Sequence, residues 1–178
     1  MKKQNKKHSA KRTNTAKSPR SRKLAKQTER ASCENFMMSA LKEAKKAQNL
    51  GEAPIGAVIV KDNKIVAKGF NRCIADNDPT AHAEIIVLRK AAKKLNNYRL
   101  NGCDIYVTIE PCAMCAGALV NARITRLFYG AENIKAGGCK SVFQISNNKK
   151  LNHRVETKSG VLKDECRAII KNFFKDKR

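Results

Sequence analysis

The chain has 178 residues, 42% of them hydrophobic, so one domain with a sizeable core is expected and disorder throughout is excluded. No run approaches the ~20 consecutive apolar residues of a membrane-spanning helix. Lys and Arg total 38 against 15 acidic residues, a formal net charge of +23, which points to a polyanionic partner, usually nucleic acid; a Lys-rich composition bias is the bland alternative.

Residues 1 to 31 are a block of their own. The stretch MKKQNKKHSAKRTNTAKSPRSRKLAKQTER holds twelve Lys or Arg, the single acid Glu29, and only Met1 and Leu24 as large apolar side chains. It cannot bury enough surface to offset chain entropy, so residues 1–31 read as a disordered basic extension and 32–178 as the folded domain. A cleaved transit peptide is the alternative, although the block lacks an apolar face. The folded part still holds 26 basic and 14 acidic residues, so the positive charge is not confined to the extension.

From Cys33 the pattern turns periodic. Phe36, Ala40, Leu41, Ala44 and Ala47 predict a helix that Gly51 stops. IGAVIV predicts a buried strand, KDNK a turn, and IVAKGF an antiparallel second strand closed by Asn71. A polar loop over 72–80 leads into a helix begun near Pro79 and Thr80, with Ile85, Ile86, Leu88 and Ala92 on its core face. DIYVTI is the third strand, EPCAMCAGALV turns straight into a helix, and ITRLFYG is the fourth strand. After the loop AENIKAGGC, a short helical piece is expected at 141–145, a short strand near Val155, and a last helix from Leu162 to Phe174 with Cys166, Ile169, Ile170 and Phe173 inward. This order is α/β, with parallel crossovers for the later strands.

Seven cysteines, with no apolar segment of a signal peptide at the N-terminus, argue against a disulfide framework and for a reducing, cytoplasmic setting. Cys112 and Cys115 stand two residues apart just after a strand, where the start of a helix favours their thiolate forms. The pair alone suits a redox site or half of a structural zinc site. No thioredoxin-like context surrounds it, and the other five cysteines are solitary. His82, at another helix start, is the natural third ligand, because such starts lie side by side at the carboxyl ends of parallel strands. One His and two Cys leave a fourth zinc position open, as in catalytic sites. Glu84 then stands beside that position as a proton shuttle, since zinc lowers the pKa of a bound water from ~15.7 to about 7. Singly, each residue has a plainer reading: His82 as a cap or core polar group, Glu84 as a helix-dipole partner.

HAE followed by PCAMC resembles the signature of the zinc-dependent nucleobase deaminases. DPTAHAEI, NYRL, YVTIEPCAMCAGA, NHRVE and GVLKDEC together resemble the bacterial tRNA-specific adenosine deaminases, over about residues 33–174. That resemblance implies a three-layer α/β/α cytidine-deaminase-like fold around a mixed five-stranded sheet. It implies one zinc ion per subunit on His82, Cys112 and Cys115, and Glu84 as the catalytic acid and base. The implied reaction is conversion of adenosine to inosine at the wobble position of a tRNA anticodon, by a homodimer that holds the anticodon stem-loop across its boundary. Asn71 matches the side chain that reads the flipped base, and Ile55 and Ile109 match apolar walls of the pocket. Asn71 as a strand end and the two isoleucines as plain core are the alternatives. His153 and Arg154 are left open between RNA contact and loop closure.

At Asn133 the chain departs from the pattern, which has an acidic residue there near the substrate backbone. Without that charge, discrimination of RNA from DNA should be less sharp. The basic extension should add sequence-independent affinity for tRNA. Two other readings compete: a deaminase of a free nucleobase or nucleoside such as guanine or cytosine, and a non-catalytic RNA-binding module with structural zinc. The first conflicts with the charge and the wider match, and the second leaves Glu84 without a purpose.

Overall fold

Asp62 and Asn63 both take left-handed backbone, φ 49° and 57°, and this two-residue turn folds β1 (Gly56–Lys61) back on β2 (Lys64–Phe70). Asp and Asn tolerate that conformation, and its twist matches a hairpin. The register slips between Ile59 and Val60. The computed structural model describes the backbone of residues 19–175 and the side chains from Gln27 onward. The remaining elements are α1 (Pro19–Asn49), α2 (Ala83–Leu95), β3 (Cys103–Ile109), α3 (Ala113–Asn121), β4 (Arg126–Ala131), β5 (Glu156–Ser159) and α4 (Lys163–Lys175).

The five strands form one mixed sheet in the order β2-β1-β3-β4-β5. β1 is antiparallel to β2 and β3, whereas β3, β4 and β5 run parallel. Alternation along the strands separates two cores. Ala57, Ile59, Ile105, Val107, Leu127 and Tyr129 face α2 and α3 with Val87, Ala91, Ala116 and Leu119. Val58, Val60, Tyr106 and Phe128 face α1 and α4 with Met37, Ala40 and Cys166. Period-2 strands thus bury both faces, which makes the three-layer α/β/α arrangement expected from the sequence. Tyr106 stacks on Phe128 at 4.5 Å and tilts against Phe36 of α1 at 5.2 Å, ring geometry that adds about 1 kcal/mol per pair beyond burial. A Cβ at Gly56 would collide with the Ala40 carbonyl, so only glycine lets α1 lie this close to β1.

Two expectations are corrected. The first helix begins at Pro19 rather than near Cys33, so residues 19–31 are helical and not disordered. Lys, Arg, Ala, Leu and Gln are good helix formers even without a core to meet. Arg30 bonds Glu34 one turn on at 2.9 Å, and Glu29 reaches Lys158 of β5 at 3.3 Å. Residues 1–18 of the expected extension lie outside the described residues. The second correction is 141–145, which is not helical: the amides of Val142 and Phe143 both reach back to the Gly137 carbonyl, at 3.1 and 2.9 Å, and that of Ile145 to the Gly138 carbonyl at 2.8 Å, so the i to i−4 ladder of a helix is not made. In α4, Cys166 and Phe173 are buried, while Ile169 and Ile170 are half-buried.

Candidate metal centre and active site

α2 and α3 start side by side beyond the ends of β2 and β3. The N-cap of α2 is His82 (φ −72°, ψ 152°) and that of α3 is Cys112 (φ −69°, ψ 175°), both extended, and neither side chain caps its own helix. Their side chains are instead turned to one point. His82 Nδ1 lies 3.7 Å from Cys112 Sγ and 3.5 Å from Cys115 Sγ, and the three donor atoms all lie within 4.8 Å of one another. With Zn–S about 2.3 Å and Zn–N about 2.05 Å, a tetrahedron has S···N edges of about 3.6 Å. The donor set and its spacing therefore fit three corners of a tetrahedral zinc site.

Electrostatics agree with that fit. Hydrogen bonds from Cys115 and His82 hold the Cys112 thiol down at about 4. Cys115, bonded to Cys112 and buried, is pushed up. His82 is raised by its bond to Cys112. One thiolate is thus already favoured beside an imidazole that donates to it, a charge arrangement a cation can take over.

Glu84, in the first turn of α2, is 2% exposed, and burial raises its carboxyl to about 7. Its Oε2 is the one buried side-chain oxygen or nitrogen without a hydrogen-bond partner among the described residues. An orphaned buried acceptor costs about 1–3 kcal/mol, so it marks a place where something else is meant to bind.

The residues expected to touch substrate divide. Asn71 is buried at the end of β2, and its Oδ1 accepts the Ala83 amide at 2.9 Å, capping α2 from outside. With the carbonyl engaged, the NH₂ is the group left for a ligand. Ile55 and Ile109 are half-buried, Ile55 packed on the core below α2 and Ile109 beside Ala131 of β4. The side-chain oxygen of Asn133 accepts the Ala136 amide at 3.2 Å, closing a local turn. His153 bonds the Ile124 carbonyl at 2.7 Å, which is loop closure.

Two residues not singled out in the sequence hold the site in place. Glu110 accepts the amides of Asn133, Cys139, Lys140 and Ser141 and the Ser141 hydroxyl, and this network keeps its carboxyl below the ordinary range against the pull of burial. The loop so gathered docks on the ligand-bearing turn: Gly137 bridges Cys112, and Gly138 donates to the Pro111 carbonyl at 2.7 Å. Gly137 must lack a Cβ, which would fall 2.5 Å from the Glu110 carboxylate. Glu52, 2% exposed, accepts the amides of Ile74 and Ala75 at 2.8 and 2.9 Å and ties the loop ahead of His82 to the end of α1. The only signal of either was a lone Glu beside an apolar strand, in TIEP and GEAP.

Residues 31–178 match the model of the MafB19-like deaminases. The chain belongs to that family of deaminases. As a deaminase it is 49% identical over 146 residues to the tRNA-specific adenosine deaminase of Haemophilus influenzae, 82% of this chain and 84% of that one. It is 41% identical to the tRNA-specific adenosine deaminase of Bacillus subtilis over 145 residues, 82% of this chain and 90% of that one. Among solved structures, a chain from a study of A-to-I editing by tRNA:A34 deaminases at the wobble position of transfer RNA superposes with a TM-score of 0.74 at 44% identity, covering 76% of this deaminase and 98% of that chain. The guanine deaminase of Bacillus subtilis superposes with a TM-score of 0.55 at 44% identity, covering 64% and 71%.

Proposed function

We propose that this deaminase converts adenosine to inosine at the wobble position of a tRNA anticodon, with one zinc ion per subunit held by His82, Cys112 and Cys115. The observation that carries the chemistry is the buried Glu84 carboxyl, its Oε2 unpartnered, beside three converging ligand atoms. When bound, the ion supplies hydroxide at neutral pH by lowering the pKa of a water. The net change is replacement of the C6 amino group of adenine by oxygen, one water consumed and one ammonia released.

Glu84 manages the protons of that exchange. A carboxyl near 7 is close to evenly split between its forms at neutral pH, so it takes one proton from water and gives it to the ring N1, then takes the second from the new C6 hydroxyl and gives it to the amino nitrogen, which leaves as ammonia. Asn71, held by the Ala83 amide, presents its NH₂ to an acceptor of the flipped base, and Ile55 and Ile109 flank the base plane. The anticodon stem-loop lies across a homodimer boundary. The net charge of +23 favours RNA over a free base, and seven free cysteines suit the reducing cytoplasm.

The test is to incubate the purified protein with total tRNA and sequence for inosine. Inosine at the wobble position is expected; none in any tRNA, with zinc bound, would refute the reading. A second reading is deamination of free guanine, favoured by the 44% identity to a guanine deaminase over 64% of the chain. Ammonia released from guanine but not from tRNA would select it.

A further inference from the structure

The ligand-bearing turns lie beyond the ends of β2 and β3. At the opposite pole three connections meet: the β1–β2 turn, residues 96–102 from α2 into β3, and residues 122–125 from α3 into β4. They are knit together, Lys61 pairing with Cys103, Leu100 donating to the Ala122 carbonyl at 2.7 Å and Gly102 to Thr125 Oγ1 at 3.0 Å. Lys64, Lys93, Lys94 and Arg99 are all exposed there, and Arg123 bonds the Asn152 carbonyl beside them. The acids of this pole are few. Asp104 is neutralised by Arg126, leaving the exposed Asp62, with Glu156 and Glu29 lying 3.7 and 3.3 Å from Lys158.

α1 approaches the same end, where Glu29 lies 3.9 Å from Arg126, the first residue of β4. Ahead of Glu29 the sequence carries Arg20, Arg22, Lys23 and Lys26, and seven more cations before Pro19. Lys64, Lys93, Lys94, Arg99 and Arg123 have no part in the catalytic site, which is at least a strand length, about 20 Å, from the three connections.

We infer that this pole is a second RNA-binding surface, which takes the phosphate backbone of tRNA lying outside the anticodon arm. The inference rests on tRNA being the substrate. Dense, exposed cations on loops and a helix end carry no base-reading geometry, so the binding is electrostatic and sequence-independent. The anticodon loop is fixed at one pole and the body of the same molecule is held at the other, so the surface distinguishes a whole tRNA from a short hairpin.

The experiment changes Lys64, Lys93, Lys94 and Arg99 to Gln together and measures binding by fluorescence anisotropy over a salt series. Full-length tRNA is compared with the isolated anticodon hairpin. Each phosphate that is no longer neutralised lowers the slope of log affinity against log salt by ~0.9, so removing all four cations lowers it by up to about 3.6. Affinity for full-length tRNA is expected to fall at least tenfold at low salt, with hairpin affinity within twofold of the parent. A charge-conserving variant (Lys64→Arg, Lys93→Arg, Lys94→Arg, Arg99→Lys) is expected to bind both RNAs as the parent does. Unchanged tRNA affinity, equal losses on the two RNAs, or a loss in the charge-conserving variant overturns the inference. Binding is read without chemistry, so a protein that forms inosine yet binds tRNA independently of this pole refutes the surface alone, whereas one that forms none refutes the substrate reading.

Discussion

Replacing Glu84 with Gln keeps the shape of the side chain and removes its charge. Burial lifts the Glu84 carboxyl from the ordinary 4.5 to about 7. At about 1.4 kcal/mol per pH unit, that displacement corresponds to about 3 kcal/mol. A carboxyl whose pKa is higher folded than unfolded penalises the fold once it ionises. The penalty is absent below about pH 4.5, grows as pH rises and is complete above about pH 7. Metal-free, reduced protein should therefore lose about 3 kcal/mol of stability relative to Glu84→Gln between pH 4.5 and pH 8. Urea unfolding of both proteins after chelation, at several pH values, reads the difference directly. A difference between the two that stays constant across that range would show that Glu84 is not desolvated in the folded state, and the case for a poised proton carrier would fall with it. In zinc-loaded protein the same substitution should leave the metal bound and abolish inosine formation.

Cys112→Ser should lower metal affinity at least tenfold, measured by mass spectrometry of dialysed protein, because two of three donors cannot close the site. Glu110→Gln replaces an acceptor of the Asn133 amide with a donor and should cost about 2 kcal/mol in urea unfolding, with faster hydrogen exchange at 139–141. Asn133→Asp keeps the turn bond to Ala136 and adds a negative charge, so the ratio of RNA to DNA deamination on matched hairpins should rise; an unchanged ratio ends that idea. Removing residues 2–18, which precede the first turn of α1, should weaken tRNA binding and flatten its salt dependence while turnover at saturating tRNA holds.

The hairpin and the sheet were legible because their signals are local. KDNK is a turn from its own residues, and the unbroken apolar runs in DIYVTI and IGAVIV mark strands buried on both faces without reference to a distant partner. The starts of α2, α3 and α4 were legible to within a few residues: Pro79 and Thr80 hinted at α2, but Asp78 holds the Thr80 amide and hydroxyl at 2.7 and 2.6 Å and delays the first turn until His82. The grouping of His82 with Cys112 and Cys115 followed from motif spacing and the rule for helix starts in parallel sheets. What stayed hidden was long-range. Residues 141–145 have a helical pattern, but Glu110, some thirty positions earlier, anchors the loop at 139–141, and the amides of Val142, Phe143 and Ile145 bond the Gly137 and Gly138 carbonyls and not a helical ladder. The helical character of 19–31 was masked by its charge, which argues against burial and not against helix formation.

α2 and α3 both begin on residues whose side chains serve a neighbour rather than their own first turn. Asn71 caps α2 from across the loop, but the Cys112 side chain does not cap α3; a missing cap costs a helix about 1 kcal/mol, and the unpartnered Glu84 oxygen destabilises the metal-free chain further. A ligand that binds only the folded chain contributes about 2.7 kcal/mol when present at a hundred times its Kd. An ion held only by the folded chain would thus tie stability to trace-element supply: chelation is expected to make the chain looser and more protease-sensitive, and reloading the ion to reverse this.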